Sequence, residues 1–202
     1  MRVTRLFYSA ACALLLSQCA MPEFPLFSSR TEMARRRMTI MPPLASQPVM
    51  YVWNGSSKPG PLSVNIDLSE QRAYLFKGSE NVGWTYVATG RSGFSSPTGT
   101  FRIMEKIVNK RSNRYGMIVD SNGDVVNSNA TAGVSSIPPG GHFLGAKMPY
   151  WMRLTGYGVG MHAGPIPHPG SPASHGCIRL PSDMAETIFQ HAPVGARVTI
   201  MQ

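Results

Sequence analysis

The chain has 202 residues, 43% of them hydrophobic and 14% charged, with a formal net charge of +9. That length buries one sizeable core and excludes two large domains. Nucleic acid is not an expected partner: no nucleic-acid-binding module is visible, and the first 40 residues alone hold six arginines against two glutamates.

Residues 1–20 read as a secretion signal. Arg2 and Arg5 precede an apolar stretch from Leu6 to Leu16, shorter than the about 20 apolar residues that span a bilayer. Leu16-Ser17-Gln18-Cys19 is similar to a lipoprotein processing site, which makes Cys19 a candidate for lipid attachment. Simple cleavage nearby and an uncleaved anchor are the alternatives.

Residues 21–61 read as a Pro/Arg-rich linker. Pro22, Pro25, Pro42, Pro43, Pro48, Pro59 and Pro61 interrupt regular structure, and Arg35-Arg36-Arg37 forms a charge cluster. The segment suits a tether with its arginines near anionic lipid or polymer, and equally a tail with no specific role. Tyr51-Val52-Trp53 fits either a short strand or an aromatic clamp.

A folded domain is expected over residues 62–202. Leu62, Val64, Ile66 and Leu68 alternate with polar residues, as a half-buried strand requires. Strands are also predicted at 73–76, 84–88 and 100–104, and helical periodicity is scarce, so the domain is mainly β. Tyr74, Phe76, Trp84 and Tyr86 fall in strand-like alternation and suit cross-strand packing. In residues 105–149, Asn122-Gly123 signals a hairpin between Ile118-Val119-Asp120 and Val125-Val126. The rest of that region, rich in Gly, Asn and Ser, reads as one long loop of the kind that covers binding sites. Two strands are predicted at 148–154 and 159–162. A helix is expected from Pro181-Ser182-Asp183 through Phe189, capped by Ser182 or Asp183 and ended by Pro193-Val194-Gly195. His191 at its end suits the helix dipole. Residues 197–200 form a closing strand.

The chemistry concentrates in Ala173-Ser174-His175-Gly176-Cys177-Ile178-Arg179-Leu180, with His162 fifteen residues before Cys177. Cys12 and Cys19 belong to the signal, so Cys177 has no disulfide partner in the domain and is either a buried hydrophobe or a functional thiol. Adjacent His, Gly and Ser favour the functional reading. A thiolate is the nucleophile, an imidazole takes its proton, and amides around Gly176 can hold an oxyanion. His162, His168, His175 and Cys177 are suitable metal ligands by type, but their spacing matches no metal motif. His142 reads as a loop histidine.

His162 together with Ser174-His175-Gly176-Cys177-Ile178-Arg179 resembles the signature of the YkuD-type L,D-transpeptidases of bacterial cell walls. Asp67 to Phe76, Thr89-Gly90 and Pro97-Thr98-Gly99-Thr100-Phe101 are similar to that family's opening strands and threonine–glycine turn. The family's Asn after the motif arginine is replaced by Leu180-Pro181. The resemblance implies a β-sandwich or barrel, one short helix after Cys177 and a lid-like loop over the active-site channel. It implies that Cys177 attacks the stem tetrapeptide of peptidoglycan at its third residue, a diamino acid, and releases D-alanine. The acyl group would pass to an amine of another stem peptide or of a wall-anchored protein. His162 would be the base, oriented by a neighbouring backbone carbonyl or Ser, and the amides of His175, Gly176 and Cys177 the oxyanion hole. Ser174 and Arg179 would bind a substrate carboxylate or brace the loop. The chemistry requires no metal or cofactor. The expected location is the periplasmic side of the cell envelope, with membrane attachment through a lipid at Cys19. Water as the acceptor (an L,D-carboxypeptidase or endopeptidase) and a non-catalytic wall-binding lipoprotein are the alternatives.

Overall fold

The computed structural model describes residues 48–202. The predicted signal, Cys19 and most of the expected linker lie outside the described residues. Among the described residues, no helix is long and apolar enough to cross a membrane.

Two sheets carry the fold. The first has the order β1-β4-β3-β2-β11-β5. Its strands are β1 (Tyr51–Trp53), β2 (Leu62–Asp67), β3 (Arg72–Lys77), β4 (Glu80–Tyr86), β5 (Gly99–Arg102) and β11 (Arg197–Met201). The second has the order β10-β9-β8-β6-β7, from β6 (Glu105–Val119), β7 (Val125–Thr131), β8 (His142–Arg153), β9 (Gly160–Ala163) and β10 (Ile178–Leu180). Pairing is antiparallel except at β11–β2 and β10–β9. The predicted alternation governs β2: Leu62, Val64 and Ile66 are buried, and the residues between them are not. The core joins inward-facing residues of both sheets, such as Ile66, Leu75, Met152, Met161 and Ile178, to Met184 and Ile188 of helix α1 (Ser182–His191), the one helix among the described residues. The outward aromatics of the first sheet pack across strands, with Tyr74 opposite Trp84 and the Arg72 guanidinium over both Trp84 and Tyr86.

The structure differs from expectation in three places. Of the two readings of Tyr51–Trp53 the short strand holds, since β1 pairs with β4; it lies within the expected linker, and the compact unit begins at Pro48 rather than at residue 62. Residues 105–149 are not a long loop: β6 pairs along β8, and β7 returns through the predicted Asn122-Gly123 turn. Only residues 132–141 remain irregular between β7 and β8. These strands escape notice because Asn109, Lys110, Arg111, Ser112, Asn113 and Arg114 break any apolar alternation; backbone pairing rather than burial defines them. Finally, Pro181 occupies the N-cap of α1, and no side chain caps it. Proline fits there because its missing N–H is a donor the helix would leave unpaired.

The segment after β4, which carries Thr89 to the second sheet, is pinned by Gln71, which is buried in a left-handed conformation (φ 53°). Its side-chain carbonyl accepts the Thr89 N–H at 2.9 Å, and its amide donates to the Leu68 carbonyl at 2.7 Å and to Thr89 Oγ1 at 2.6 Å. Gln71→Leu leaves the buried Thr89 N–H without its partner and removes the donor to the half-buried Leu68 carbonyl. The expected loss is about 1–3 kcal/mol, read as a lower urea midpoint at unchanged slope; an unchanged midpoint would refute this role.

Candidate active site

The segment from Ala88 to Ser96 bridges the sheets and shapes the turn before Cys177. Ala88 and Arg179 exchange backbone hydrogen bonds at 3.0 Å. The Thr89 carbonyl accepts the amides of Ala173 and Ser174 at 3.0 and 2.9 Å, and the Arg91 amide donates to the Ser174 carbonyl at 3.1 Å. Ser96 Oγ accepts the Gly90 N–H at 2.9 Å and donates to the Gly176 carbonyl at 2.8 Å. Buried Ser174 closes the turn from within: its hydroxyl donates to the Cys177 carbonyl and accepts the Gly176 N–H at 3.0 Å. Gly176 has φ 107°, where a side chain would be strained. At Gly90 an added Cβ would lie 1.8 Å from the Phe94 carbonyl oxygen, so the bridge can carry no side chain there.

Strand pairing then brings the chemistry together. β10 runs parallel to β9 with Arg179 opposite His162. Extending that register one step sets Cys177 opposite Gly160. Strand spacings of about 4.8 Å across and about 3.3 Å along put the Cα atoms of Cys177 and His162 roughly 8 Å apart, within reach of the two side chains. Alternation sends Met161, Ala163, Ile178 and Leu180 into the core. The opposite face of the same strands presents His162, Cys177 and Arg179 to a cleft of about 730 Å³. Gly160 leaves room for the Trp151 indole, since an added Cβ would meet that ring at 2.7 Å.

The tautomer of His162 is set by its partner. Nδ1 lies 2.8 Å from the Ala163 carbonyl oxygen. A carbonyl only accepts, so Nδ1 carries the proton and Nε2 keeps its lone pair. Burial holds the His162 pKa down at about 4, helped by Arg179 and opposed by the Ala163 carbonyl. Burial likewise pushes the Cys177 thiol up, with the Gly160 N–H and Arg179 pulling partly back. Both groups are therefore neutral at rest around pH 7.

His175 faces the cleft in a cluster that the sequence did not reveal. Its ring stacks on Tyr115 at 4.3 Å and meets the edge of Phe94 at 4.7 Å. Arg91 Nη2 donates to His175 Nε2 at 2.9 Å, which fixes the proton on Nδ1 because a guanidinium cannot accept. Burial, Arg91 and Arg179 all hold the His175 pKa down. Tyr115 arrives from a bulge in β6: between Arg111 and Gly116 the register against β8 shifts, and the extra residues lean over the cleft. Spacing from Cys177 gives no hint of these partners: the pairing of β6 with β8 places Tyr115, and the segment bonded to the Ser174 turn places Arg91 and Phe94. Of the remaining histidines, His142 and His168 are exposed and do not line the cleft. Among the described residues, no group of three or more His, Cys, Asp or Glu side chains is arranged to hold a metal.

The family profile described as YkuD, L,D-transpeptidase catalytic domain, matches residues 61–200. No curated protein sequence matches the chain. An L,D-transpeptidase from Mycobacterium smegmatis superposes with a TM-score of 0.53 at 23% identity, covering 70% of this chain and 59% of its own. An Enterococcus faecium L,D-transpeptidase carrying a cysteine-to-serine mutation gives 0.51 at 20% identity, covering 70% of this chain and 50% of its own. An L,D-transpeptidase solved in complex with imipenem gives 0.53 at 24% identity, with coverages of 70% and 59%. The chain thus spans between half and three-fifths of the length of these structures.

The neutral pair sets two pH dependences. His162 has a folded pKa of about 4 against an ordinary value of 6.5. As pH falls from 6.5 through 4, the unfolded chain binds a proton that the folded one refuses, and stability drops. The loss is about 3 kcal/mol at most, and His162→Gln flattens this part of a pH–stability curve. Second, iodoacetamide alkylation of Cys177 rises about tenfold per pH unit from neutrality to pH ~9. A plateau below neutrality would reveal a preformed thiolate–imidazolium pair instead.

Proposed function

The chain belongs to the L,D-transpeptidase catalytic-domain family, and from that premise we propose that it cross-links or modifies peptidoglycan through a thioester on Cys177. The observation that carries this reading is the parallel register of β9 and β10, which sets His162 and Cys177 on one face of one cleft. Acting on wall peptides places the chain in the cell envelope, exported by the signal in residues 1–20 and held there by a lipid on Cys19.

The donor is a stem tetrapeptide whose third residue is a diamino acid. His162 Nε2 takes the Cys177 proton as the sulfur attacks the carbonyl of that residue. The Ala163 carbonyl steadies the imidazolium that forms, since Nδ1–H still points at it. The developing oxyanion is bound by the amides of His175 and Cys177. This narrows the expected hole, because the Gly176 N–H is already committed to Ser174 Oγ. Ser174 accordingly braces the turn. When the tetrahedral intermediate collapses, the carbon–nitrogen bond breaks, His162 gives its proton to the nitrogen and D-alanine leaves. An acceptor amine then attacks the thioester, His162 takes the amine proton, and the carbon–sulfur bond breaks with the thiol restored. The acceptor is the side-chain amine of a second stem peptide or an amine of a wall-anchored protein.

Incubated with stem tetrapeptide, the protein is expected to gain the mass of the peptide acyl group without D-alanine. Cys177→Ala abolishes this adduct, and His162→Gln slows its formation about 10²–10⁴-fold. A folded wild-type protein that releases no D-alanine would overturn the proposal.

A further inference from the structure

The charged side chains that line the cleft are all of one sign. Lys110, Arg114, Lys147, Arg153 and Arg179 line it, and no Asp or Glu does. Arg153 is neutralised from outside by Glu105, whose carboxylate lies 2.8 Å from its Nε. The other four form no ion pair among the described residues. Lys110 Nζ donates only to Asn113 Oδ1, at 3.3 Å, and Arg114 lies beside the Tyr115 ring at 5.5 Å. Arg179 is the most telling, because its stem packs against Gly164 and its partly buried guanidinium makes no hydrogen bond to a described residue. Converging like charges repel one another, and a concave low-dielectric wall sharpens their field. A fold that keeps such a group unneutralised is complementary to an anion. The sources of the charge are also separate: Arg179 sits on β10 beside the nucleophile, whereas Lys110, Arg114 and Lys147 sit on β6, its bulge and β8.

We infer that the cleft selects acyl donors by their free carboxylates, with Arg179 taking the carboxylate nearest the reacting carbonyl and Lys110, Arg114 and Lys147 taking those farther along the peptide. The ligand class is an acidic peptide; donors whose side carboxylates are amidated are poor ligands. A guanidinium offers two parallel donors to a carboxylate, while an amide presents no charge and one acceptor. The inference rests on the transpeptidase reading for the identity of the peptide, but the anion site itself does not require turnover.

The test separates binding from chemistry. Two stem tetrapeptides, identical except that the side carboxylates are free in one and amidated in the other, are titrated against the Cys177→Ala protein. Their rates of thioester formation on the wild type are then compared by intact mass. Amidation is expected to weaken binding about tenfold for each carboxylate removed. Added salt narrows the gap, because it screens these contacts. In the Lys110→Gln/Arg114→Gln/Lys147→Gln variant, checked for an unchanged melting curve, the affinity ratio falls toward one. Equal affinities for the two peptides in the Cys177→Ala protein overturn the inference, whatever the wild type does. A preference for the free carboxylates with no thioester on the wild type upholds the anion site and overturns the transpeptidase reading.

Discussion

The site depends on one pairing, the parallel ladder between β9 and β10. Two parallel neighbours cannot be joined by a tight turn, so the chain must leave the sheet at the end of β9 and return to the end where β9 began. Here it does so through residues 164–177, a crossover stiffened by Pro165, Pro167, Pro169 and Pro172 and without a helix. The fifteen-residue gap between His162 and Cys177 is the length of that return. The crossover buries little, so it cannot hold its own shape. Its end is held instead from the other sheet, by Thr89 and Ser96, which are positioned in turn through Gln71 and the Gly90 amide. A network of backbone groups, short hydroxyls and one buried amide side chain, that of Gln71, thus sets the turn before Cys177.

The chemistry was largely legible in the sequence because it is local. The Ser-His-Gly-Cys turn, the alternation of β2 and the Pro-to-Gly limits of α1 each lie within a few residues. What was not legible is what arises between distant segments. Most of β6 and the first half of β8 look like a loop because their outward faces are polar and their only common property is that they pair. Gly116 and Gly145 are part of that pairing: an added Cβ would come within 2.3 Å of the Leu144 carbonyl oxygen at one and 2.0 Å of the Ser112 carbonyl oxygen at the other. In the sequence these glycines suggest flexibility; in the fold they allow two strands to close tightly beside a bulge. Tyr115 contacts His175 only because of that arrangement, and Arg91 and Phe94 reach it through the segment bonded to the Ser174 turn. The missing helix cap has a similar origin, since the end of β10 leads directly into Pro181 and leaves neither Ser182 nor Asp183 at the capping position. Asp183 instead accepts the Tyr51 hydroxyl at 3.0 Å, tying the first strand to the helix.

The two histidines illustrate how backbone and guanidinium partners set proton positions. His162 donates through Nδ1 to a carbonyl and keeps Nε2 as a base; His175 accepts at Nε2 from Arg91 and keeps a proton on Nδ1. Each is held neutral, by burial first in both cases. They differ in their response to a second proton: His162 can accept one while its donor contact remains intact, whereas protonating His175 at Nε2 would set that proton against Arg91. The two histidines are therefore not interchangeable, although each lies close to Cys177 in sequence or in space.

The neutral resting pair and the unneutralised cations are two sides of one arrangement. A permanent thiolate at Cys177 would draw on Arg179, the nearest positive charge, whose pull on the thiol is already outweighed by burial. A substrate carboxylate bound to Arg179 would weaken even that pull, so an enzyme that relied on a preformed thiolate would lose its nucleophile on binding its substrate. In the proposed reaction, proton transfer to His162 at the moment of attack avoids the conflict. The negative charge would then appear first on sulfur and next on the carbonyl oxygen, where backbone amides rather than side-chain cations would receive it. On this proposal the cations stay available to hold the peptide, and the charge that moves is managed by groups that the bound carboxylates do not occupy.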